Sequence, residues 1–125
     1  MLRFLLDEHI SPVVCRIVHE RRSEISIQSV HDWRDGYLRG KHDKVLLSAI
    51  AEEEYTLVTY DLRTIPPLLQ LWAATGLSYQ GVIFIDERTC RPHDFSAIAD
   101  ALIRIWDGMH MFDWKDRVTF AYGDA

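Results

Sequence analysis

Cysteine is scarce in this chain. Cys15 and Cys90 are the two in 125 residues, with no CxxC and no Cys/His cluster, so neither a disulfide framework nor structural zinc is indicated. Long apolar runs are missing as well, none approaching the roughly 20 residues that cross a bilayer. The opening Met1-Leu2-Arg3-Phe4-Leu5-Leu6-Asp7 turns acidic before a signal-peptide core could form. The expectation is a cytoplasmic protein without membrane contact. Nor is there an excess of positive charge: 14 Lys and Arg stand against 19 Asp and Glu, a formal net charge of -5. That balance disfavours broad, sequence-independent wrapping of DNA, which rests on phosphate neutralisation. The G-x-G-x-x-G turn, the G-x-x-x-x-G-K-[ST] loop, the HExxH pair and the nucleophilic serine elbow are all absent. Dinucleotide binding, P-loop hydrolysis, zinc proteolysis and serine hydrolysis lose their usual signatures. What is present, 48% hydrophobic residues without repeats or low-complexity segments, suits a single domain over residues 1–125. A chain of that length buries about two-thirds of its extended surface.

Short apolar runs alternate with helical patterns. Arg3-Phe4-Leu5-Leu6, Thr56-Leu57-Val58-Thr59-Tyr60 and Gly81-Val82-Ile83-Phe84-Ile85 have strand length and near-continuous hydrophobicity, as buried parallel strands do. Ile25 to Val30 alternates with period two, which predicts a strand nearer the sheet edge. Val118 to Ala121 is a short final candidate. Between them, Ser11-Pro12 marks a helix start, Asp43 opens a second helix ending near Glu54, Pro66-Pro67 leads a third, and Phe95 to Trp106 carries the stripe of a fourth. His31 to Lys41 is polar, holds two glycines and reads as a loop or short turn. Repeated right-handed crossovers then make a three-layer α/β/α sandwich the economical fold.

Asp7, Asp61 and Asp86 each follow an apolar run, and the carboxyl ends of parallel strands share the rim where open α/β sheets bind ligands. Asp43 reaches that rim only if the fold brings it there. Carboxylates gathered so closely repel, and a Mg2+ or Mn2+ ion relieves the repulsion by accepting hard oxygen ligands. Such an ion acidifies water and stabilises charge on a departing phosphate oxygen. Asp7 and Asp61 are the expected ligands, Asp43 a third ligand or water-positioner, and Asp86 an outer member toward a second ion. Glu8 and Glu87 stand in reserve. Thr59, two residues before Asp61, can face the same way and offer a hydroxyl. Ser11 can touch a phosphate through the first amides of its helix. Arg39, Lys41 and Lys44, with Arg16, Arg21, Arg22 and Arg34, can guide a short single strand past the acidic centre or face a protein partner. His9 and His42 lie near enough in sequence to assist. Aspartates after strands and in first helical turns also cap backbone amides, and that role alone accounts for any one of them.

The pieces Phe4-Leu5-Leu6-Asp7-Glu8 with Ser11-Pro12, Leu38-Arg39-Gly40 with Asp43, Leu57-Val58-Thr59-Tyr60-Asp61 and Gly81-Val82-Ile83 together resemble the small PIN-like nuclease-type proteins of the Mut7-C-related branch. The resemblance spans residues 4 to 85. It implies a Rossmann-like PIN domain with a central, mostly parallel sheet and an acidic Mg2+/Mn2+ site at Asp7, Asp43 and Asp61. It also implies the toxin of a toxin-antitoxin pair that cuts RNA, an antitoxin partner and a homodimer. Tyr60 stands where such proteins usually have a basic or small residue, and Leu62-Arg63-Thr64-Ile65-Pro66 replaces a usual Asp-Phe pair. Two rivals remain. One is a catalytically silent PIN-like interaction module. The other is a phosphoacceptor receiver domain, which needs a lysine after the fifth strand, whereas Lys115 precedes Val118 to Ala121.

Overall fold

The computed structural model describes residues 1–38, 40 and 43–124, with the side chain of Asp43 outside the description. In chain order the elements are β1 (Arg3–Leu6), α1 (Val13–Arg21), β2 (Ser26–Ser29), a short turn of 3-10 type (Trp33–Gly36), α2 (Asp43–Glu52), β3 (Thr56–Thr59), α3 (Ile65–Ala74), β4 (Val82–Ile85), α4 (Phe95–Met109) and β5 (Val118–Ala121). The strands form one sheet in the order β2-β1-β3-β4-β5, and every neighbouring pair is parallel. Registers such as Leu5 with Leu57 and Ile83 with Thr119 place the strand ends level along each rim.

Alternation along the strands divides the core in two. Phe4, Leu6, Val58 and Ile83 point to one face and pack against α1 and α4 through Val14, Val18, Ile98 and Leu102. Leu5, Leu57, Val82 and Phe84 point to the other and meet α2 and α3 through Leu46, Leu47, Ile50 and Ile65. The strands read as continuous apolar runs because both faces are covered. Each fully buried Leu, Ile or Phe contributes roughly 1.5–3 kcal/mol from area alone. The result is a three-layer α/β/α sandwich of Rossmann-like architecture, as the order of elements predicts. The edge position expected for residues 25–30 also holds: β2 ends the sheet and leaves Gln28 exposed between buried Ile27 and Ser29.

Of the repeated crossovers expected, one departs from the hand of the others. The connections from β2 to β3 and from β3 to β4 advance across the sheet over the α2 and α3 face, and β1 to β2 runs backward over the opposite face, which gives all three the same hand. The connection from β4 to β5 advances too, yet α4 lies beside α1. It therefore has the opposite hand, an arrangement found in only about 2% of such units. The cause is visible in packing: α4 carries Ile98, Ala99, Leu102 and Trp106 into the α1 face, and surface ion pairs link Arg21 with Asp100 and Arg22 with Asp107. One consequence is that, among the described residues, no helix covers the other face of β5, and Val118, Phe120 and Tyr122 remain exposed.

Smaller differences follow from local backbone geometry. Pro12 is already helical and α1 begins at Val13, so the Ser11 hydroxyl accepts the Val13 amide at 3.2 Å in place of a conventional cap. The second helix stops at Glu52, short of the expected end, and Glu54 takes a positive φ of 60°. Neither cysteine is in a disulfide, and Cys90 is buried. Burial, followed by the negative charge of Asp32, pushes the Cys15 thiol up to about 12. Iodoacetamide at pH 8 is accordingly expected to label native Cys15 far more slowly than the same residue in urea; equal rates would show that its surroundings do not suppress the thiolate.

Candidate functional site

The order reversal of the sheet lies between β1 and β3, since the chain leaves β1 toward β2 and returns across it to β3. A crevice forms where successive connections part to opposite faces. Asp7 and Thr59 both emerge there. The sheet continues one residue beyond β1, with the Asp7 amide donating to Val58 O at 2.9 Å, and Asp7 is 9% exposed.

A carboxylate so far buried needs donors. Asp7 Oδ1 accepts the Glu8 amide at 2.7 Å, and Asp7 Oδ2 accepts the hydroxyl of fully buried Thr59 at 2.7 Å. The same Thr59 oxygen accepts the Asp61 amide at 3.0 Å. One hydroxyl thus joins the ends of two strands, from residues 52 positions apart in the chain. Asp61 Oδ1 in turn accepts the amides of Arg63 at 2.9 Å and Thr64 at 2.8 Å, closing the turn into α3. Asp7, Thr59 and Asp61 line one open groove of about 700 Å3 together with His9, Tyr60, Leu62, Arg63 and Glu87.

Burial alone would raise the Asp61 pKa. The amides of Thr64 and Arg63, the Thr64 hydroxyl and the positive charge of Arg63 outweigh it and hold the carboxyl below its ordinary value. Because the folded pKa is the lower one, the resulting stability is complete above the unfolded value of about 4. It disappears as pH falls through the folded value. Carbon-detected NMR titration is expected to find Asp61 below an unstructured aspartate; a value at or above about 4 would mean the turn does not favour the ionised form. For Tyr60, burial and then the acidic surroundings of Cys90, Glu87 and Asp94 push the phenol well above its usual range. Its hydroxyl donates to Cys90 O at 2.5 Å and braces the groove wall.

The remaining predicted residues are dispersed. Asp86 follows β4 as expected, but its Oδ2 accepts the Thr89 hydroxyl at 2.7 Å, and it is Glu87 that lines the groove. Glu8 Oε1 accepts the Gly40 amide at 2.9 Å. Ser11 supports the first turn of α1. Lys44 lies on α2 and lines a separate cavity of about 440 Å3 with Trp33, Arg34 and Tyr37. Arg21, Arg22 and Arg34 are engaged in ion pairs with Asp100, Asp107 and Glu53. Asp43 opens α2 as predicted. Its side chain, and all of Arg39, Lys41 and His42, lie outside the described residues. Arg63 is a groove residue that the sequence pattern alone does not single out. The run Asp61 to Pro67 contains its signal, since an aspartate shortly before Pro66-Pro67 marks a capped helix entry.

Among the described residues, no three His, Cys, Asp or Glu side chains form a group able to hold a metal ion. The carboxylates of Asp7 and Asp61, which line the same groove, offer oxygen donors only. That chemistry fits Mg2+ or Mn2+, since Mg2+ keeps several waters and commonly takes one or two carboxylates. Among the described residues, no helix is long and apolar enough to cross a membrane. Comparisons with family models, curated proteins and solved structures found no match. The architecture is an all-parallel, five-stranded α/β/α sandwich, generically consistent with the PIN superfamily.

Proposed function

We propose that this protein is a Mg2+- or Mn2+-dependent ribonuclease of the PIN-like type, the toxin of a toxin-antitoxin pair acting in the cytoplasm. The groove that Asp7, Thr59 and Asp61 line together, at the switch point of the sheet, carries the reading. The resemblance across residues 4 to 85 supplies the substrate class, an antitoxin partner and a homodimer.

In this reading Asp7 and Asp61 hold the ion, with Asp43 as the third carboxylate. A divalent ion held there supplies an acidified water and neutralises charge developing on phosphate oxygens. Thr59 keeps the Asp7 carboxylate oriented by donating to one of its oxygens, while its own oxygen fixes the start of the Asp61 turn. Arg63 on the groove wall offers positive charge to a backbone phosphate. The open shape of the groove suits an extended strand.

One observation favours the silent module instead: Asp7 already accepts a donor at each oxygen, and Asp61 caps the entry to α3. A receiver domain is disfavoured, because Tyr122 follows β5 and Lys115 lies before it, toward the opposite rim. The test is cleavage of mixed single-stranded RNA and DNA with Mg2+ or Mn2+, beside a chelator control. Ion-dependent loss of RNA supports the nuclease. Intact RNA with abundant ion supports the silent module.

A further inference from the structure

Glu8 stands beside Asp7, where a carboxylate invites assignment as another ion ligand. Its contacts describe a different task. Glu8 Oε1 accepts the Gly40 amide at 2.9 Å, the Glu8 carbonyl accepts from His31 Nε2 at 2.6 Å, and the Glu8 amide donates to Asp7 Oδ1 at 2.7 Å. His31 is itself set by its amide, which donates to Ser29 Oγ at 3.1 Å. The connection leaving β2 is therefore fastened to the end of β1 at two points, once at His31 and again at Gly40. Gly40 has a φ of +68°, a conformation that glycine adopts without a steric penalty.

Chain reach gives this fastening a consequence. Asp43 begins α2 three residues after Gly40, and consecutive Cα atoms are about 3.8 Å apart, so the start of α2 lies within roughly 11 Å of the Gly40 Cα. Holding Gly40 at Glu8 limits how far the amino end of α2 can stand from Asp7. We propose that Glu8 is a positioning residue and not an ion ligand, a latch that ties Gly40 to the Asp7 rim and so holds the end of β1 in the shape the ion site needs. The ion-binding part of this proposal rests on the reading of Asp7 and Asp61 given above; the latch itself rests on the Gly40 contact.

Glu8→Ala and Glu8→Gln separate the possibilities. Glutamine keeps an oxygen able to accept the Gly40 amide, and alanine does not. Amide hydrogen exchange at Gly40, followed by NMR on the full chain without metal, is expected to accelerate at least about tenfold in E8A and to stay within about threefold of wild type in E8Q, since exchange reports local opening. Mn2+ titration followed by electron paramagnetic resonance is expected to show affinity about 10-fold to 100-fold weaker in E8A, the usual size for loss of a residue that orients ligands, with most of that loss recovered in E8Q. Equal loss of Mn2+ affinity in E8A and E8Q makes Glu8 a ligand and overturns the positioning role. Unchanged Gly40 exchange in E8A overturns the latch. A wild-type chain that binds no Mn2+, with Gly40 exchange still dependent on Glu8, overturns the ion-site reading while the latch stands.

Discussion

Changing Asp7 and Asp61 together to asparagine is expected to lower ion-dependent RNA cleavage by about 100-fold or more, since replacing residues that merely orient metal ligands already costs 10-fold to 100-fold. The substitution removes both negative charges while keeping shape. At position 61 the side-chain oxygen can still accept the amides of Arg63 and Thr64, because asparagine and aspartate cap helix entries about equally well. At position 7 the change is less neutral. The new carboxamide keeps an acceptor for the Glu8 amide but turns an NH2 group toward Thr59, whose hydroxyl then loses its acceptor. A stability loss of about 1 kcal/mol follows from one disrupted hydrogen bond. Urea unfolding of the double variant separates that loss from the loss of chemistry. Cleavage at the wild-type rate in a folded D7N/D61N protein would falsify the assignment.

Gly81→Ala is expected to destabilise the fold by roughly 3 kcal/mol, the sum of a left-handed backbone penalty of about 1–2 kcal/mol and an overpacking cost of about 1–3 kcal/mol. Gly81 has a φ of +89°, and a Cβ there would meet Trp114 Cε3 at 2.7 Å and Trp114 O at 3.1 Å. Trp114 cannot readily withdraw. It is 4% exposed, its Nε1 donates to Met109 O at 2.9 Å, and its carbonyl accepts the Arg117 amide at 3.1 Å. Gly76→Ala is the matched control, with a similar φ of +77° and open space around the added Cβ. It is expected to show only the backbone penalty. If urea unfolding gives the two variants the same stability, Trp114 gives way and the close approach imposes no cost.

The legible part of the fold was the part written locally. Strands such as Leu57-Val58 and Val82-Ile83 could be read because both faces are buried, which leaves no polar residue to interrupt the run. Helix entries could be read where proline, aspartate or serine marks them, although α1 begins one residue later than its serine suggests. The site was legible only as candidates. Asp7, Asp61 and Asp86 carry the same sequence signal, an acid after an apolar run, yet Asp7 and Asp61 share a groove while Asp86 is turned to Thr89. Residue spacing along separate strands holds no information about that difference. Glu8 shows the same limit, since its Gly40 partner is 32 positions away and no local pattern announces it.

By itself the sequence determined the alternation of strands and helices and the placement of Asp7, Thr59 and Asp61 at strand ends, because periodicity and burial act over a few residues. Only the tertiary structure decided the order β2-β1-β3-β4-β5, the placement of α4 beside α1, and the Thr59 bridge between two carboxylate-bearing loops. Those depend on which apolar faces pack together across the chain, and such packing is an interaction between distant segments that neither segment encodes alone.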